Sequence, residues 1–249
     1  MPADFNWAIG GEAGDGIDST GKVFAQALSR AGRHVFTSKD FASRIRGGYT
    51  AYKVRTSTEK VRSVVDRLDV LVALTPRTIE ENLDELHEGS VIIYDGERTT
   101  MADVEIPEGM IGLDVPLKRL AEDAGGAVMR NVVALGAACE ATSFDIEHLD
   151  SSLKKHFGGK GQAIVDNNKQ AARLGQEYVR DNSPDADLEY ALETTDNDYV
   201  LLNGDEAIGM GAIAAGCKYY AGYPITPATD VMTYLKGRIE QFGGHVVQA

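Results

Sequence analysis

Asn6-Trp-Ala-Ile-Gly-Gly-Glu-Ala-Gly-Asp-Gly-Ile17 decides the fold. A short β-type run enters a turn crowded with glycine, and an apolar helical pattern begins at Ile17. Strand, glycine turn and helix in that order open an α/β unit. Gly11, Gly14 and Gly16 give G-x-x-G-x-G, not the dinucleotide order G-x-G-x-x-G, and Ile17 stands where a phosphate loop has lysine. Glu12 and Asp15 would also repel a bound phosphate. Alone the turn is a weak nucleotide signal, but its glycines permit close approach of another backbone or a ligand.

Outward from this turn, β-type runs over 6–9, 34–37, 50–55, 70–74, 91–94 and 110–113 alternate with helical patterns over 17–31, 77–86, 117–124, 131–143, 146–156 and 161–179. The alternation predicts an α/β fold, a three-layer and largely parallel sheet covered by helices. The first domain spans 1–182, and the stretch 183–198, rich in Asp, Glu and Thr and containing Pro184, reads as an acidic linker. A second order follows over 199–249: a strand at 199–202, a small-residue helix within 203–216, a strand at 218–222, and the corner Gly222-Tyr-Pro-Ile-Thr-Pro227. Thr226 is placed to cap a helix whose first residue is Pro227 and which runs to Phe242, with Gly243-Gly244 as its stop. Thr226 either caps that helix alone or also receives an anionic group of a ligand.

The 249 residues carry 38 acidic against 25 basic side chains, a formal charge of -13, which argues against a nucleic-acid or anionic-membrane surface. Mean hydropathy is -0.22, and the chain has no long uncharged apolar run and no signal-like start, so a cytoplasmic protein is expected. Cys139 and Cys217 form no Cys-x-x-Cys, so no iron–sulfur cluster is expected in this chain, and both read as buried apolar positions. The five histidines lack metal-ligand spacing, and no metal site is expected. Ser43-Arg-Ile-Arg-Gly-Gly48 is a doubly basic loop that either grips a carboxylate or phosphate or forms structural ion pairs.

Gly204-Asp-Glu-Ala207 and Gly222-Tyr-Pro-Ile-Thr-Pro227 resemble the start of the α-subunit of the 2-oxoacid:ferredoxin oxidoreductases. Gly10 to Ile17, Arg46-Gly-Gly48, Lys53-Val-Arg55 and Asp69-Val-Leu-Val-Ala73 resemble the γ-domain of the same enzymes, fused ahead of α. Asp205 stands where asparagine is common in relatives, and Ala228-Thr229 where two small hydroxyl residues are common. The resemblance implies a subunit of an enzyme that converts a 2-oxoacid and coenzyme A to acyl-coenzyme A and carbon dioxide while reducing ferredoxin. It leans to 2-oxoglutarate over pyruvate. It places Thr226 beside thiamine diphosphate and the substrate carboxylate as the catalytic position, with Tyr223, Pro224, Ile225 and Pro227 close by. Gly11, Gly14, Gly16, Arg44, Arg46, Gly47 and Gly48 become a coenzyme A or interdomain contact. A β-subunit is implied to hold the diphosphate–Mg²⁺ site and a [4Fe-4S] cluster. The glutamate that activates the aminopyrimidine follows the threonine by roughly thirty residues in the family. That lies past Ala249, so the chain reads as truncated early in the α-type domain and inactive alone.

Two readings from other classes stay open. One is a non-catalytic subunit-assembly module, marked by complex formation without small-molecule binding. The other is a Rossmann-type NAD-dependent dehydrogenase with Asp40 as ribose acceptor, against which the glycine order counts.

Overall fold

The computed structural model describes residues 4–41, 48–98, 100–102, 104–184, 186, 188, 190–225 and 228–249. It consists of two units, Met1–Tyr199 and Val200–Ala249.

The first unit runs β1 (Asp4–Glu12), α1 (Ile17–Arg30), β2 (His34–Phe41), β3 (Tyr49–Ser57), β4 (Leu68–Ala73), α2 (Pro76–Glu80), β5 (Leu86–Tyr94), β6 (Ile111–Asp114), α3 (Leu117–Asp123), α4 (Arg130–Ala141), α5 (Ile146–Phe157) and α6 (Gln162–Asn182). The strands form one sheet in the order β2-β3-β1-β4-β5-β6. Only β3 runs against the others, pairing antiparallel with both β1 and β2, while β1, β4, β5 and β6 pair in parallel. The expected α/β architecture with a largely parallel sheet is the one observed.

Burial on both faces explains why the central strands read as continuous apolar runs: all six residues of β4 are buried. Alternation sends Trp7 and Ile9 to one face and Ala8 to the other. On the first face Trp7 meets Phe24 of α1 at 4.8 Å between ring centroids, and Phe24 meets Phe144 ahead of α5 at 6.0 Å. Helix α4 is buried except at Arg130 and Glu140. On the second face Ala8, Leu71, Ala73 and Ile92 pack with Ile79 of α2 and with Met101, and Val104 and Ile106 lean on that cluster. That third layer is thin, a five-residue helix and an irregular segment.

Two local differences from the sequence reading have side-chain causes. The helix expected over 77–86 stops at Glu80, because the buried Asn82 amide donates to the Thr78 carbonyl (2.6 Å) and competes with the helical ladder. Strand β5 begins at Leu86, not 91, and takes up the excess in a register shift against β4, with Gly89 at φ 84. Residues 190–199 pack back onto the rest of the first unit. Leu192 N–H donates to Thr142 O (2.9 Å), Thr195 N–H to Ala31 O (2.8 Å), and the buried Arg33 to Glu193 O (3.2 Å). Tyr199 stacks on His34 at 4.3 Å.

The second unit comprises α7 (Gly204–Ala214), β7 (Tyr219–Gly222), α8 (Thr229–Lys236) and β8 (His245–Gln248), with β7 and β8 parallel. Asn203 and Glu206 close a capping box at the start of α7. No strand forms at 199–202, whose backbone has no ladder partner among the described residues; Val200 is 76% exposed. Helix α8 starts at Thr229 behind Ala228 and gives way at Gly237, short of the expected reach from a Thr226 cap to Phe242. Gly243, at φ 73, ends the following turn as anticipated. Strand β8 was not foreseen. No described helix is long and apolar enough to cross a membrane.

Candidate functional site

The connection leaving β1 passes through α1 on the Trp7 face, and the one leaving β4 passes through α2 on the opposite face. Neighbouring parallel strands whose connections diverge leave a crevice at their carboxyl ends, the place where open α/β sheets take ligands. The crevice here measures about 520 Å³. Gly11, Glu12 and Asp15 contribute from the glycine turn, Gly48 and Tyr49 from the start of β3, Thr75, Pro76 and Arg77 from the end of β4, and Arg98 and Thr100 from beyond β5.

Glycine at the turn is a spatial requirement. A Cβ on Gly10 would lie 2.6 Å from Thr78 Cγ2, and Gly16 takes φ 79 at the N-terminal boundary of α1, a conformation unfavourable to other residues. The turn is tied down on three sides. Ala13 N–H donates to Gly48 O (3.0 Å), Glu12 N–H to Asp15 Oδ2 (3.0 Å), and Asn131 Nδ2 to Asp15 O (2.6 Å). The carboxylate that threatened to repel an anion is paired: Arg130 Nη2 donates to Asp15 Oδ1.

Opposite the turn, Tyr49 OH accepts from Asn82 Nδ2 (2.6 Å). Burial pushes the Tyr49 phenol above its ordinary value, so it stays protonated in neutral solution. Arg77 lies over the Tyr49 ring at 6.0 Å and donates to Glu81 at 2.7 Å, and Arg98 is oriented by the Leu74 carbonyl at 2.9 Å. Arg98 and Thr100 also line an adjoining crevice of about 680 Å³ with Lys118, Arg119 and Arg130. Within it the buried Asp95 accepts from Lys118 N–H (3.0 Å), and burial pushes its carboxyl upward. The carboxyl edge of the sheet thus interleaves the cations Arg77, Arg98, Lys118, Arg119 and Arg130 with the carboxylates of Glu12, Asp15, Glu80, Asp95, Glu97 and Glu122.

Gly11 and Gly48 from the sequence reading meet in the switch-point crevice. Gly14 and Gly16 face a different one, of about 490 Å³, with Asn131 and Lys160. Arg44, Arg46 and Gly47 lie outside the described residues, as do Thr226 and Pro227. Tyr223, Pro224 and Ile225 follow β7 and are exposed. Tyr49, Thr75, Arg77, Arg98 and Arg130 were missed. Thr75-Pro76 carried a usable signal, a proline opening a helix directly after an apolar strand.

A family model described as pyruvate ferredoxin/flavodoxin oxidoreductase matches residues 6–178. The chain belongs to the pyruvate ferredoxin/flavodoxin oxidoreductase family. Within the family, the α-subunit of 2-oxoacid:ferredoxin oxidoreductase 2 from Aeropyrum pernix is 24% identical over 276 residues, covering 94% of this chain and 43% of that one. A 2-oxoglutarate:ferredoxin oxidoreductase from Magnetococcus marinus, solved with 2-oxoglutarate, coenzyme A and succinyl-CoA bound, superposes on the whole of this chain and 44% of its own with a TM-score of 0.85 at 32% identity. The γ-subunit of a keto/oxoacid ferredoxin oxidoreductase from Geobacter sulfurreducens covers 71% of this chain and 99% of its own at a TM-score of 0.60 and 23% identity, a likeness of fold alone. This member spans less than half the length of the two longer relatives.

Proposed function

We propose that residues 1–182 form the γ-type domain and 199–249 the beginning of the α-type thiamine diphosphate domain of a 2-oxoacid:ferredoxin oxidoreductase, joined by 183–198. The enzyme carries out coenzyme A-dependent oxidative decarboxylation, giving an acyl-coenzyme A, carbon dioxide and two electrons for ferredoxin. The observation that carries this reading is the switch-point crevice, with Arg77 and Arg98 facing the glycine turn, in a chain that superposes end to end on an enzyme solved with coenzyme A. The crevice edge built by Gly11 and Gly48 is the coenzyme A or interdomain contact, and Arg44 and Arg46, outside the described residues, are assigned to the same contact by the resemblance.

The described part of the Tyr223-Pro224-Ile225 corner offers a phenol, backbone groups and apolar carbon. That chemistry fits contact with a pyrimidine ring and not a metal-bound diphosphate. By the family resemblance the diphosphate–Mg²⁺ site and the [4Fe-4S] cluster are assigned to a β-type partner, and Thr226, outside the described residues, to a place beside the cofactor. Bound thiamine diphosphate supplies an electron sink for decarboxylation. 2-Oxoglutarate is placed ahead of pyruvate, on the likeness to the Magnetococcus enzyme, and the complex is assigned to the cytoplasm.

The test is anaerobic viologen reduction by the full-length gene product co-produced with its β-type partner, across a panel of 2-oxoacids with and without coenzyme A. Coenzyme A-dependent reduction, fastest with 2-oxoglutarate, is expected. An intact cofactor-loaded complex that reduces no dye with any 2-oxoacid would return the chain to the assembly-module reading.

A further inference from the structure

Asp15 is a wall residue of the switch-point crevice and Arg130 a wall residue of its neighbour, so their ion pair sits on the partition between the two. Both side chains are about three-quarters covered, at 22% and 26% exposure. Asp15 takes up the Glu12 N–H with its other oxygen. A donor of the turn is thus engaged by a carboxylate whose charge has the sign of any anionic ligand. Glu12 and Glu80 add to that sign in the same crevice. Arg130 removes the Asp15 charge from that repulsion and leaves Glu12 and Glu80 against Arg77 and Arg98. The placement of Arg130 is fixed from behind, since the next residue, Asn131, donates both to Asp15 O (2.6 Å) and to Thr20 Oγ1 (3.2 Å).

We propose that Arg130 is a charge-compensating positioning residue that makes the glycine-turn crevice competent for a polyanionic co-substrate. The proposal rests on the functional reading above in taking coenzyme A as its probe. The measurements are coenzyme A affinity of the assembled complex by titration calorimetry, and KM values for coenzyme A and 2-oxoacid from dye reduction. Arg130→Met raises the Kd and KM for coenzyme A by about tenfold or more, since it strands a part-buried carboxylate. The 2-oxoacid KM stays within about twofold, because independent sites do not couple. Asp15→Asn keeps an acceptor for Glu12 N–H, removes the charge and tightens coenzyme A binding. The double variant D15N/R130M returns the Kd to within about threefold of wild type, the pair being coupled.

The D15N arm decides the matter even where R130M fails to fold. A merely structural tie predicts the reverse, weaker binding in D15N and no recovery in the double variant, and that result would overturn the proposal. Unchanged affinity in a folded R130M complex would do the same. A wild-type complex that binds no coenzyme A would overturn both this proposal and the functional reading.

Discussion

Helices α4 and α6 cross at two glycines, and the closeness of that crossing sets where Arg130 and Asn131 stand. A Cβ on Gly136 would fall 1.7 Å from the Ala172 carbonyl oxygen, and one on Gly175 would fall 2.0 Å from Val133 O. Both neighbours are backbone atoms, so no rotamer change relieves the clash. Gly136→Ala must push the helices apart by more than about 1 Å, at a cost near the upper end of the usual overpacking range, about 3 kcal/mol. For a domain of this size each kcal/mol lowers Tm by about 2–4 °C, so the expected loss is about 6–12 °C. The chain has one tryptophan, Trp7, fully buried against α1, so its fluorescence follows the melting of the first unit without interference. Gly158→Ala is the control, because Gly158 has helical φ and open space around it; stability is expected to hold or rise by a few tenths of a kcal/mol. A Gly136→Ala chain that melts within about 2 °C of wild type would refute the argument that this crossing tolerates no side chain.

Three further outcomes follow from single groups. Burial pushes the Cys139 thiol far above its ordinary value while Cys217 is only half-buried, so an aromatic disulfide reagent at pH 8 should label Cys217 first and Cys139 only on unfolding; fast labelling of both would contradict the burial. Arg33→Ala removes the donors to Thr56 Oγ1 and Glu193 O and should cost about 2 kcal/mol, with faster amide exchange at Thr195; unchanged exchange there would show that the 190–199 segment does not depend on Arg33. Burial pushes Asp18 upward, but hydrogen bonds and charge from Lys22 and Lys39 outweigh it and hold its carboxyl below the ordinary value. Its contribution is therefore present above the unfolded carboxylate value and lost as pH falls through the depressed folded value. For so exposed a group it is under about 1 kcal/mol, and the stability difference between wild type and Asp18→Asn should vanish by about pH 2–3; a difference that persists or grows there would contradict it.

Period and punctuation placed the six strands of the first sheet, because Val70, Leu71 and Val72 or Val91, Ile92 and Ile93 have no local alternative to burial on both faces. What they could not give was the direction of β3, which depends on long-range pairing of Tyr49–Ser57 with two neighbours. The end of α2 depended on one side chain, Asn82, reaching both Thr78 O and Tyr49 OH, a contact 33 residues apart in sequence. The site was half legible. Gly11 and Gly48 were identifiable as backbone requiring close approach, whereas Arg98 and Arg130 reach the same edge from separate parts of the chain. Arg130 is 115 residues from its partner Asp15, a separation that no local pattern encodes. The Gly222 to Pro227 corner was conspicuous through composition alone, and its described residues are exposed.

The most direct test of the account is a structure of the assembled complex with coenzyme A at saturating concentration. Ligand density in the crevice between the carboxyl ends of β1 and β4, against Gly11, Tyr49 and Arg98, is the predicted result. Coenzyme A bound to the complex with that crevice empty would contradict it.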